Sequence, residues 1–158
     1  MSEHKVTVTV NGETVSAFVP ARMSLVDFIR TEAGLTGSHV GCEHGVCGAC
    51  TLTVDGVAVR GCLMLAVQAE GAEVITIEGL ADAGRAANLR RAFQDHNALQ
   101  CGYCTPGMLA SALDYIDGGG TADRAAIRRH MSGNYCRCTG YQSIVDAIAD
   151  VITQGDGA

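Results

Sequence analysis

The residues with the most chemistry to offer are eight cysteines, which fall into two groups of four. Cys42, Cys47 and Cys50 follow C-x4-C-x2-C, and Cys62 comes further on. The first three reproduce the plant-type [2Fe–2S] ligand spacing. Four thiolates must converge on two irons, and a short loop can present three of them only if its backbone curls tightly. Gly41, Gly45 and Gly48 are expected to take positive φ and turn backbone N–H groups toward the sulfurs. Such N–H groups stabilise the reduced, more negative cluster and raise its potential. Structural zinc is the serious rival, and buried cysteines that bind nothing are the second. His39 and His44 flank the loop, and Cys42-x-His44 matches half of a Rieske ligand set, but no second Cys/His pair accompanies it. Both histidines are expected to be solvated or hydrogen-bonded loop residues.

In the second group, Cys101-x2-Cys104 is expected at the end of one helix and Cys136-x-Cys138 just before the last one. Two helix ends would then meet around four thiols. A C-x-C pair on an irregular loop is unusual for structural zinc, which prefers wider spacing within a pair. On spacing alone, iron–sulfur, zinc and a redox dithiol all stay open. Arg128, Arg129 and Arg137 either temper a cluster's negative charge or are ordinary surface arginines. Pro106 suits the first turn of a helix, where its missing N–H costs little.

Elements must carry these groups. Val6, Val8 and Val10 alternate with threonines, Asn11-Gly12 supplies a type I′ turn, and Thr14 to Val19 continues extended, so a hairpin opens the fold. Ser24 is the expected N-cap of a short helix with Leu25, Phe28 and Ile29 on one face, ending near Gly34. Thr51–Val54, the turn Asp55-Gly56 and Val57–Arg60 give a second hairpin, and Glu73–Ile77 a further strand. From about Asn88 the period turns helical. Leu89, Ala92, Phe93 and His96 share a face, as do Met108, Leu109, Ala112, Leu113 and Ile116. Gly118-Gly119-Gly120 breaks the pattern, Asp123 caps a helix through His130, and Ser143–Ile152 carries Ile144, Val145, Ile148 and Ile152 at helical spacing. The Gly/Ala/Asp-rich stretch Gly79–Ala87 is the expected join between a β-rich unit, 1–80, and an all-α unit, 81–158.

Composition narrows the functions. A chain of 158 residues with 47% hydrophobic and 18% charged residues is globular rather than disordered. Aromatics are 4% without tryptophan, and the net charge is −6; both argue against nucleic-acid binding. The segment Met1–Asn11 has neither the basic start nor the apolar run of a secretory signal, and no stretch approaches the roughly twenty apolar residues of a membrane span. A cytoplasmic protein is expected, and in reducing cytosol eight cysteines serve metal or redox chemistry more often than disulfides.

With both groups in view, the chain resembles the small iron–sulfur subunit of the molybdenum hydroxylases, the xanthine oxidase and carbon monoxide dehydrogenase family. Three segments carry the likeness: Gly41–Cys50 with Cys62, Leu99–Met108, and Gly133–Tyr141. The resemblance covers nearly the whole chain and departs only in linkers and tail. It implies an α+β fold: an N-terminal ferredoxin-like β-grasp domain with an exposed-edge cluster, then an all-α four-helix [2Fe–2S] domain whose cluster lies buried near the molybdenum cofactor. By the same resemblance Cys42, Cys47, Cys50, Cys62, Cys101, Cys104, Cys136 and Cys138 ligate two [2Fe–2S] clusters, and Gln100 and Cys138 contact a molybdopterin cofactor. That cofactor belongs to a large subunit and FAD to a medium one, in a dimer of heterotrimers. The chain would relay single electrons between them and hold no catalytic residue itself. Gly118-Gly119-Gly120 lacks the context of a phosphate loop. The family leaves the substrate open among N-heteroaromatic rings, aldehydes, acyl-CoA esters and carbon monoxide, and leaves the final electron acceptor open too. A freestanding ferredoxin and a zinc-stapled interaction module are the rival classes.

Overall fold

The computed structural model describes residues 3–80 and 84–155. Strands β1 (Glu3–Val10) and β2 (Glu13–Pro20) form the opening hairpin, with Val8 opposite Val15. Asn11 and Gly12 make its turn at φ of 50° and 86°, the positive values a type I′ turn requires. Helix α1 (Leu25–Thr31) starts at Ser24, whose side chain accepts from the Asp27 N–H, and buries Leu25, Val26, Phe28 and Ile29. Strands β3 (Thr51–Val54) and β4 (Val57–Arg60) turn at Asp55-Gly56. Strand β5 (Glu73–Ile75) runs parallel to β1 and antiparallel to β3, giving a five-stranded sheet of order β2-β1-β5-β3-β4. Helix α1 packs its apolar face on the inner valines of that sheet, Val6, Val8, Val10, Val54 and Val74. This is the ferredoxin-like β-grasp arrangement.

The expected strand Glu73–Ile77 stops short, because Ile77 opens a one-turn helix, α2 (Ile77–Leu80). Thr76 sets the corner: its N–H donates to Asn11 Oδ1 at 2.9 Å and its hydroxyl to Glu78 Oε2 at 2.6 Å. Ile77 and Leu80 then pack against a second core.

That core is built by α3 (Gly84–Asp95), α4 (Thr105–Asp117), α5 (Arg124–Met131) and α6 (Gln142–Gly155). Leu89 and Phe93 of α3, Met108 of α4, Ile127 of α5 and Ile144 and Ile148 of α6 are its largest buried side chains. Each contributes about 1.5–3 kcal/mol relative to exposure. Helix α3 begins four residues before Asn88, because Ala86 adds another buried contact. The expected join is therefore largely helical; its residues 81–83 lie outside the described residues. His96 falls beyond α3 and meets Asp150 at 3.3 Å instead of entering the core. Asp123 caps α5 by accepting from the Ala125 and Ala126 N–H groups.

The cysteine pair Cys101/Cys104 does not end a helix: α3 finishes at Asp95, and Cys104 is the N-cap of α4. Pro106 sits in the first turn of α4, the one part of a helix that tolerates it. Among the described residues no helix is long and apolar enough to cross a membrane.

Candidate metal centres

The first cysteine group occupies the loop between α1 and β3 and the residue after the β3–β4 hairpin. Gly45 and Gly48 take left-handed φ of 81° and 74°, and Glu43 does so at 57°. Gly41 does not; its place is set by proximity, since a Cβ there would stand 3.1 Å from Cys47 Sγ. The curl aims backbone N–H groups at one sulfur. Cys47 N–H donates to Cys42 Sγ at 3.4 Å, and with the His44 N–H it pulls the Cys42 thiol down to about 6. Cys50 is buried where β3 begins, and burial pushes its thiol up to about 11, with the adjoining Cys62 thiol adding to the rise. The hairpin brings those two together: Gly61 N–H donates to Cys50 C=O at 3.2 Å, next to Cys62. His39 bonds through Nδ1 to Tyr103 C=O at 2.7 Å and stacks on the Tyr103 ring, while His44 Nδ1 bonds to Cys42 C=O. Both are hydrogen-bonded loop residues, as expected.

The second group joins two segments. Cys101 and Cys138 place their sulfurs 3.5 Å apart, and the Cys104 and Cys136 thiols are in hydrogen-bond contact. Burial pushes Cys104 up to about 12, and its neighbour Cys136 pushes the same way. Burial is the largest influence and works to raise Cys136, but hydrogen bonds, those from Thr139 foremost and with the Cys138 N–H and Cys104 thiol beside them, together hold that thiol below its ordinary value. The Thr139 hydroxyl and N–H donate to Cys136 Sγ at 3.2 and 3.4 Å. The C-x-C loop closes through Gly140 and Tyr141 at φ of 68° and 69°, with Cys136 N–H donating to the Tyr141 hydroxyl oxygen. Gln100 Nε2 donates to Cys138 C=O at 3.1 Å, which places the two residues named from the resemblance side by side. Cys101 is exposed and Cys104, Cys136 and Cys138 are half-buried. A surface depression of about 480 Å³ opens beside them, edged by Tyr103, Tyr135 and Arg137. Arg128 turns instead to Gln142 Oε1.

In both groups the sulfurs come in pairs: Cys42 with Cys47, Cys50 with Cys62, Cys101 with Cys138, and Cys104 with Cys136. Among the described residues no three histidine, cysteine or carboxylate side chains gather tightly enough for a single ion.

A polar network that local sequence signals did not reveal locks the two loops together. Asn134, buried, donates through Nδ2 to Gly48 C=O at 3.2 Å and Gly107 C=O at 3.0 Å, and its Oδ1 accepts from the Ser111 hydroxyl at 2.8 Å. Tyr135 N–H donates to Cys47 C=O at 2.8 Å, and the Tyr103 hydroxyl to Val40 C=O at 2.7 Å. Gly107 allows this approach, because a Cβ on it would lie 2.1 Å from Gly48 O. Asn134 and Gly48 are 86 residues apart, beyond the reach of any spacing rule.

Residues 8–89 match the 2Fe-2S iron-sulfur cluster binding domain and residues 76–149 the [2Fe-2S] binding domain. Fold and matches together define a two-domain iron–sulfur protein. Among its relatives, the caffeine dehydrogenase subunit gamma of Pseudomonas sp. (strain CBB1) is 52% identical over 96% of this chain and 92% of its own length. The nicotine 6-hydroxylase small subunit of Paenarthrobacter nicotinovorans is 47% identical over 92% of this chain and 88% of its own. The solved quinoline 2-oxidoreductase of Pseudomonas putida 86 superimposes with a TM-score of 0.90 at 45% identity, over 98% of this chain and 96% of that one. The chain belongs to the small iron–sulfur subunits of the molybdenum hydroxylase family. It is the electron-transfer subunit of an oxidoreductase whose catalysis lies in partner subunits.

Proposed function

We propose that Cys42, Cys47, Cys50 and Cys62 ligate one [2Fe–2S] cluster in a unit spanning 1–80, and Cys101, Cys104, Cys136 and Cys138 a second in a unit spanning 81–158. Through them the chain relays electrons singly from the molybdopterin centre of a large subunit to FAD in a medium subunit. The pairing of the sulfurs carries this reading. A two-iron cluster asks for two thiolates on each iron, whereas one tetrahedral zinc asks for four around a single point. The donor set suits such a group in charge as well. Each group has one thiol lowered by N–H or O–H donors and one raised by burial.

When bound, each cluster takes up and passes on one electron at a time. The chain's own part is to hold the sulfurs and steady the added charge. The Cys47 N–H beside Cys42 Sγ, and the Thr139 N–H and hydroxyl beside Cys136 Sγ, donate to sulfurs that gain negative charge; such bonds favour the reduced form. Cys101, exposed at the open depression, and Gln100, bonded to Cys138 C=O, mark the face for the large subunit. There Gln100 and Cys138 would contact the pterin. The subunit names of the relatives support a multi-subunit assembly, which we take to be a cytoplasmic dimer of heterotrimers.

The test is to purify the chain anaerobically with its partners, quantify iron, sulfide, zinc and molybdenum, and follow dithionite reduction by electron paramagnetic resonance. Two distinct [2Fe–2S] signals, with molybdenum in the copurifying chains, are expected. Cys136→Ala should abolish one signal and about half the iron. Zinc without iron in a solitary, colourless chain would overturn the proposal in favour of an interaction module. Two clusters in a chain that copurifies with nothing would favour a freestanding ferredoxin.

A further inference from the structure

Arg60 ends β4 two residues before Cys62. Its half-buried guanidinium reaches both cysteine loops. Nη1 donates to the Thr51 hydroxyl oxygen, and Thr51 directly follows Cys50. Nη2 donates to Gly133 C=O at 2.9 Å and Asn134 Oδ1 at 3.4 Å, just ahead of Cys136. All three acceptors are neutral, and among the described residues no carboxylate lies within ion-pair distance of Arg60. Partial burial of a guanidinium is costly when its partners are all neutral. Such a cation calls for a counter-charge that the described residues do not supply directly.

The two cysteine groups supply it once loaded. Four thiolates on an oxidised [2Fe–2S] core make a dianion, and reduction makes a trianion. A cation held between two such groups gains attraction at each reduction, and its planar fork keeps the charge from drifting as electrons pass. We infer that Arg60 is an electrostatic positioning residue that raises the reduction potentials of both clusters together; this rests on the two-cluster reading above.

The alternative is a brace whose charge is immaterial, and two variants separate the roles. Arg60→Gln removes the charge while keeping an amide donor; Arg60→Lys keeps the charge and loses the fork. In the intact complex, with iron quantified, a mediated titration followed by electron paramagnetic resonance reads both clusters. The expected result for Arg60→Gln is full iron and an approximately tenfold fall in the reduction equilibrium of each cluster, about 59 mV for one electron. Arg60→Lys should stay within about twofold of the parent, a shift under about 20 mV. Full iron with unmoved potentials in Arg60→Gln overturns the inference. If Arg60→Gln fails to load, Arg60→Lys decides: parent-like potentials uphold the role of charge, and a tenfold fall or loss of iron assigns Arg60 to bracing alone. A parent complex lacking two clusters would overturn the ligand assignment itself, a failure distinct from either variant result.

Discussion

In the first cysteine group, three sulfurs hang on one glycine-bearing loop, and the fourth follows a four-residue-stranded hairpin. In the second, the sulfurs come from two segments separated by α4 and α5, with Cys101 and Cys138 meeting across 37 positions of chain. Yet the thiols end in similar states. One member is lowered by hydrogen bonds, Cys42 by backbone N–H groups and Cys136 by Thr139; one is raised by burial, Cys50 and Cys104. The lesson is that paired thiols in a graded environment can be built either by a curled loop or by a helix start facing a turn.

The largest contrast to test lies within each group. In the chain stripped of iron, Cys42 with its thiol near 6 is mostly thiolate at neutral pH, while Cys50 near 11 is almost wholly protonated. Iodoacetamide near neutral pH should therefore label Cys42 far ahead of Cys50 and Cys104, with thiolate fractions differing by roughly a thousandfold or more. Because the Cys42 value is lowered, its labelling should fade as pH falls through about 6, whereas Cys50 should gain reactivity only as pH climbs toward about 11. Mass-spectrometric mapping reads this, and equal rates at Cys42, Cys50 and Cys104 would erase the grading.

The next largest effect concerns the seam between the groups. Gly107→Ala drives a Cβ to 2.1 Å from Gly48 O and should destabilise the protein by about 3 kcal/mol in urea titration. Gly102→Ala is the control: nothing lies within 4 Å of its Cβ, so only the positive φ of 81° is strained, at about 1–2 kcal/mol. Equal losses would mean the seam is looser than the Asn134 network implies. Asn134→Ala, which strips the Nδ2 donor from Gly48 and Gly107 C=O, should cost about 2 kcal/mol. Its effect should be subadditive with Gly107→Ala, since the two share partners.

Locally coded features were legible in the chain itself. The hairpin turn at Asn11-Gly12, the Ser24 and Asp123 caps and the Asp55-Gly56 turn all stand where expected, because each is decided within a few residues. Two of the misses share a tertiary cause: Ile77 reads as strand until its side chain is drawn into the second core, and α3 gains a turn from the burial of Ala86. The third was locally legible: Pro106 in the first turn of α4 puts Cys104 at the start of a helix. Gly41 was expected at positive φ, but its role is clearance for the Cys47 sulfur.

The sequence by itself determined that Cys42, Cys47 and Cys50 share one short loop, since the C-x4-C-x2-C spacing is local, whereas the meeting of Cys101 with Cys138 across 37 positions came from the tertiary structure. It also determined the two-unit layout, through the change from alternating to helical periodicity. Only the tertiary structure decided how the cysteine loops face each other. Asn134, Arg60 and Gly107 act there across distances of 86, 73 and 59 residues respectively, counted to Gly48 for Asn134 and Gly107 and to Gly133 for Arg60. Contacts of that range arise from the docking of one hydrophobic core against another, and no run of neighbouring residues encodes them.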